Sequence, residues 1–70
     1  MEDGLYTVKE VSEILRVNKD TVYSLIRAGL LPAMKLGCLK IRKHSVEEFL
    51  GTYDGYDLTD LKNIVELSKD

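Results

Sequence analysis

Residues 18–44, NKDTVYSLIRAGLLPAMKLGCLKIRKH, change hydrophobic period halfway, and that change decides the fold. Asn18 is a good helix N-cap because its side-chain oxygen can accept from a free first-turn amide. Val22, Leu25 and Ile26 then recur at steps of three and four. This spacing predicts a helix over residues 19–28. Gly29, able to take the left-handed conformation, ends it, and Pro32 forbids its continuation. Beyond Pro32 the period falls to two. Met34 and Leu36 alternate with Ala33 and Lys35, then Leu39 and Ile41 alternate with Lys40 and Arg42. Gly37-Cys38 between the runs predicts a two-residue type II′ turn, which puts Lys35, Lys40 and Arg42 on the face opposite the apolar side chains.

Upstream, Thr7-Val8-Lys9-Glu10 has capping-box spacing, so a helix is expected to begin at Val8. Val8, Val11, Ile14 and Leu15 fall on one stripe, with Lys9, Glu13 and Arg16 outward. Only Arg16 to Asn18 separate the two helices, the spacing of a helix-turn-helix. An antiparallel helical hairpin is the alternative, but it would continue into a third long helix, which Pro32 prevents. Downstream, Ser45-Val46-Glu47-Glu48 repeats the capping-box pattern, and Val46, Phe49 and Leu50 supply the apolar face of a short third helix. A two-stranded hairpin is marginal alone and must pack on the helices. The expected fold is therefore mainly α with a small β-hairpin, a winged helix-turn-helix over residues 1–50. From Gly51 two glycines and an Asp54-Gly55 turn signal read as a linker. Leu58, Leu61, Ile64 and Val65 then return to helical spacing, which predicts a short acidic helix over residues 58–68 within a terminal segment 51–70. So short a helix must dock on its own domain, pair with a second copy or fold on a partner.

At 70 residues the chain is one small domain. No apolar run approaches a membrane span, and the acidic start MEDGLYTVKE is unlike a secretory signal, so a cytoplasmic protein is expected. One cysteine, Cys38, cannot close an intrachain disulfide, and with one histidine, His44, it cannot complete a four-ligand zinc site. There is no Gly-rich phosphate loop and no nucleophile elbow. Glu47 and Glu48 are sequence neighbours that diverge on a helix, and His44 reads as the residue just before the third helix cap rather than as a general base. Neither an enzyme nor a cofactor is expected.

The net charge of −2 conceals a strong asymmetry. Residues 16–44 hold Arg16, Lys19, Arg27, Lys35, Lys40, Arg42 and Lys43 against Asp20 alone, while both ends are acidic. A local field attractive to phosphate results, unless the run is simply a solvated face. On the second helix, Asp20, Ser24 and Arg27 point away from the apolar side, with Thr21 and Tyr23 at its flanks. Arg27 can grip guanine or phosphate, Ser24 can donate or accept, and Tyr23 can reach a phosphate. Lys19 adds positive potential at the helix start. Asp20 can accept from a cytosine amino group, although its commoner first-turn role is to complement the helix dipole. The N-terminal half of such a helix meets base edges, which makes Lys19, Asp20, Tyr23 and Ser24 the specificity candidates, with Thr21 as a buttress. Lys35, Lys40, Arg42 and Lys43 cluster where a wing would follow the sugar-phosphate backbone. For Lys40 and Lys43, protection of a strand edge against aggregation is the alternative.

The run YTVKEVSEILRVNKDTVYSLIRAGLLPAMKLGCLKIRKHSVEEFL, residues 6–50, resembles the excisionase-type DNA-binding domain, a small winged-helix relative of the MerR regulator DNA-binding region. The most specific parts are DTVYSLIRAGLLPAMKLG, which is similar to that family's recognition helix, break and first wing strand, and KIRKHSVEEFL, which is similar to its second strand and closing helix. The resemblance implies that the second helix enters the major groove and that the wing contacts the adjacent minor groove or backbone. It further implies a recombination directionality factor that organises DNA at the ends of an integrated element and directs integrase to excision. Many relatives instead regulate transcription. Such proteins often carry arginine just after the wing glycine, where this chain has Cys38. The expected partners are double-stranded DNA and either integrase or neighbouring copies, with Leu58, Leu61, Ile64 and Val65 as the partner-binding face. A protein-interaction module without DNA binding is the remaining alternative and fits the low pI.

Overall fold

The computed structural model describes residues 4–67. Along the chain lie β1 (Leu5–Thr7), α1 (Val8–Leu15), α2 (Lys19–Arg27), β2 (Met34–Leu36), β3 (Cys38–Arg42), α3 (Lys43–Thr52), β4 (Tyr56–Asp57) and β5 (Val65–Glu66). Both halves of the capping box at α1 are made: Glu10 N donates to Thr7 Oγ1 at 3.1 Å and Thr7 N donates to Glu10 Oε1 at 2.9 Å. At α2, Thr21 N donates to the Asn18 side-chain oxygen at 2.9 Å.

The two helices end alike. Leu30 N donates to Leu25 O and Gly29 N to Ile26 O, each at 3.0 Å, closing a Schellman turn after α2, and Val17 N donates to Ser12 O at 3.0 Å after α1. The left-handed residue is Gly29 at φ 80° in the first case and Arg16 at φ 60° in the second. A side chain in that conformation costs roughly 1–2 kcal/mol. Arg16→Gly is therefore expected to raise stability by about 0.5–1 kcal/mol once the greater freedom of glycine in the unfolded chain is deducted. Thermal melting checks it, and a lowered midpoint would show that the turn carries no such strain.

The core gathers Val8 and Val11 from α1, Val22 and Leu25 from α2, Leu31 from the following connection, Ile41 from β3, and Val46 and Phe49 from α3. Ile14, expected on the buried stripe of α1, is 43% exposed. Ser12 is buried in its place, because Val8, Val11, Ser12 and Leu15 follow the helical repeat more closely and the Ser12 hydroxyl is satisfied by donation to Lys9 O.

The strands β1, β3 and β2 form one antiparallel sheet with β3 in the centre. The sequence reading assigns no strand before Val8, yet Leu5, Tyr6 and Thr7 pair with Arg42, Ile41 and Lys40. This third strand gives the hairpin the support it would lack alone. It also moves the start of α3. Lys43 N donates to Gly4 O at 3.1 Å, so the helix begins directly from β3 with Arg42 as N-cap and no side-chain cap bond. The expected Ser45 capping box is not used. The helix runs on through Gly51 and Thr52, where a linker is expected, and Leu50 is exposed rather than part of the apolar face.

No helix forms over residues 58–68 as far as the described residues reach. Tyr56 and Asp57 pair instead with Glu66 and Val65. The Asp57 carboxylate accepts from Thr59 N at 2.9 Å and the Asp60 carboxylate from Lys62 N at 3.0 Å, local bonds that hold the chain in turns and compete with a helix ladder. Leu58 and Leu61 pack on the core, Ile64 is half-buried and Val65 is 45% exposed, so the four do not make a single partner-binding stripe. Tyr53 bridges this segment to the core, its ring 5.3 Å from Phe49 and 6.0 Å from Tyr56 between centroids. The Thr59 hydroxyl, and secondarily its amide, hold the Asp57 carboxyl below its ordinary 3.8. A lowered value means that the turn is favoured above that pH and loses this support as pH falls through it. Thr59→Val is expected to bring the Asp57 titration back toward 3.8 by NMR; an unmoved midpoint would rule out the hydroxyl as donor.

Candidate nucleic-acid interface

The exposed side of α2 follows from its buried one. Val22 and Leu25 hold the helix in the core, which leaves Lys19, Asp20, Thr21, Tyr23 and Arg27 exposed and Ser24 half-buried. Arg27 Nη2 donates to Ser24 Oγ at 3.4 Å, so the two polar groups lie together one turn apart. The Thr21 hydroxyl donates to Asn18 Oδ1 at 3.1 Å. Thr21 also borders an apolar groove of about 550 Å³ lined by Leu15, Leu25, Phe49 and Leu58. Arg16 stands exposed on the turn before α2.

The hairpin differs from expectation by one residue of register. Leu36 pairs with Cys38, Lys35 with Leu39 and Met34 with Lys40, so Gly37 alone, at φ 78°, makes the reversal. A slip of one residue turns a whole strand over. Directly paired residues share a face, so Met34 and Leu36 lie on the face of Cys38, Lys40 and Arg42, while Lys35 lies on the face of Leu39 and buried Ile41. The expected face of three cations therefore loses Lys35. Lys40, Arg42, Met34 and Ser45, with Pro32 and Ala33, surround a cavity of about 180 Å³ beside the start of α3. Lys43 is placed differently again, its ammonium 5.6 Å from the centroid of the Tyr6 ring. Met34 and Ser45 were not among the sequence candidates. The pairing that brings Met34 beside Lys40 turns on a one-residue reversal that the dipeptide Gly37-Cys38 does not distinguish from a two-residue one.

The remaining chemistry is limited. His44 Nε2 lies 3.1 Å from Glu48 Oε2 one turn along α3, both exposed, a surface pair of small energetic weight. Among the described residues no three His, Cys, Asp or Glu side chains are placed to hold a metal, and no helix is long and apolar enough to cross a membrane.

Two helices on a tight turn, the second held by its apolar side with a polar face outward and followed by an antiparallel hairpin, make a helix-turn-helix unit. The Helix-turn-helix domain family matches residues 5–52, from β1 to the end of α3, and the chain belongs to it. Similar over a shorter stretch is "Uncharacterized protein YvgK" of Bacillus subtilis, 50% identical over 36 residues that cover 51% of this chain and 12% of that protein. "Putative DNA-binding protein Rv0500A" of Mycobacterium tuberculosis is 41% identical over 49 residues, covering 69% of this chain and 63% of its own. The chain thus spans less than two thirds of the length of these relatives. No solved structure matches it.

Proposed function

We propose that this chain binds duplex DNA, laying α2 in the major groove and the β2–β3 hairpin, as a MerR-like wing, against the neighbouring backbone. The observation that carries the reading is the outward face of α2, where Lys19, Tyr23, Ser24 and Arg27 are presented by a helix whose other side is core, in a chain of the helix-turn-helix family. The name of the mycobacterial relative supports it. Lys19, Asp20, Tyr23 and Ser24 read base edges; Arg16, Arg27, Lys40 and Arg42 meet phosphates; Thr21 steadies the helix start. No catalytic step is part of this role.

The finer role is that of an excisionase, supported by the resemblance of residues 6–50 to that type of domain. One module of 7.9 kDa reads few base pairs, so adjacent copies or integrase would supply the rest of the affinity. Footprinting on the DNA flanking the chain's own gene, with and without a neighbouring integrase, tests both levels. Protection at the end of an integrated element, strengthened by integrase, is the expected result. Protection confined to a promoter would replace excision by transcription control, and no protection at low salt would overturn DNA binding.

A further inference from the structure

We infer that residues 53–67 form an acidic strap along one flank of α2, and that the strap lowers affinity for duplex DNA by repelling the phosphates on that side. The inference rests on the DNA-binding reading above and adds to it a restraint on binding strength. The strap carries Asp54, Asp57, Asp60 and Glu66 against Lys62 alone. Its place is fixed by the apolar groove of about 550 Å³, which Val17, Thr21 and Leu25 line together with Leu58 and Thr59. Asp57 and Asp60 bracket Leu58 and Thr59 in the chain. Their carboxylates accept from Thr59 N and Lys62 N, while Leu58 and Leu61 pack on the core, so the turns keep both acids beside the groove.

On α2 the same side is well defined. Thr21 and Leu25 stand one turn apart on the groove, and half-buried Ser24 lies between them and the outward Arg27. The strap therefore borders the exposed face along its Thr21 edge. Lys19 and Tyr23 stand on the opposite edge. A helix seated in the major groove, about 12 Å wide, has a sugar-phosphate strand along each flank. One strand meets the edge that holds Lys19, and the other runs past the strap. Carboxylates there are ionised at neutral pH and repel it. The fold does not ask for their charge, since asparagine makes the same turn bonds. With a Debye length of about 10 Å at 0.1 M salt, repulsion across the flank acts at low salt and fades as salt rises.

The test is a binding titration on two labelled duplexes, the DNA flanking the chain's own gene and an unrelated sequence, at about 50 and about 200 mM salt. Asp57→Asn with Asp60→Asn is expected to tighten binding on the order of tenfold at the lower salt and by no more than about threefold at the higher. The factor should be the same on both duplexes, because phosphates carry no sequence information. Glu13→Gln with Glu47→Gln makes the same change in net charge at exposed positions of α1 and α3, and should tighten binding by less than about twofold. Wild-type affinity in the aspartate variant, an equal gain in the glutamate variant, or a gain confined to one duplex overturns the strap's role while leaving DNA binding in place. A melting midpoint well below wild type in the aspartate variant overturns it too, since the charges would then serve the fold. Absence of any wild-type binding at low salt overturns both readings.

Discussion

Replacing Leu31 by alanine is expected to leave a largely unfolded chain at 25 °C. Leu31 is fully buried although it lies outside every helix and strand, in the connection that carries α2 into β2. Its amide donates to Leu25 O at 3.3 Å, beside the 3.0 Å bond from Leu30 N to the same carbonyl. The side chain is thereby committed to the centre of the core by the turn that ends the helix. Truncating a buried leucine costs about 2–5 kcal/mol. A domain of this size rarely has more than about 3–5 kcal/mol to lose. Circular dichroism with a urea titration checks the result, and Leu36→Ala, at an exposed position, serves as the comparison with little expected change. A urea midpoint for Leu31→Ala close to that of wild type would contradict the core described above.

The second large effect concerns binding. Lys19→Ala with Arg27→Ala removes two cations from the exposed side of α2, one at its first residue and one at its last. Each well-made contact to a base or phosphate is worth about 1–3 kcal/mol, so the double variant is expected to lose on the order of a hundredfold or more at low salt. Its salt slope should fall by about one unit, the phosphate that Arg27 neutralises. Arg27 Nη2 is hydrogen-bonded to Ser24 Oγ, so Ser24→Ala and Arg27→Ala should be non-additive when combined. Fluorescence anisotropy on the flanking duplex gives all of these values. A double variant that binds as wild type would move the interface away from α2.

The local signals were legible wherever the chain answers to its own neighbours. The capping atoms at Thr7, Glu10 and Asn18 and the helix stop at Gly29 lie within a few residues of one another and are read directly from the string of residues. What depended on distant partners was not legible. Leu5–Thr7 is too short to declare itself a strand until Arg42, Ile41 and Lys40 are there to pair with it. The same strand brings Gly4 O to the Lys43 amide, which makes the Ser45 capping pattern redundant. In the terminal segment, helical spacing of Leu58, Leu61, Ile64 and Val65 competes with Asp57 and Asp60 side chains that capture nearby amides, and the turns prevail. For the candidate interface, the α2 face was visible from periodicity. The hairpin face was not, because one residue of register decides whether Lys35 or Met34 sits with Lys40 and Arg42.

Titration of isotope-labelled protein with the flanking duplex, followed by amide chemical shifts, shows where on the chain DNA is held. The largest shifts at low salt are expected on residues 16–27 and on the β2–β3 hairpin, shrinking as salt rises, with β4 and β5 little affected. Shifts centred on β4 and β5, or none at any salt, would contradict that placement.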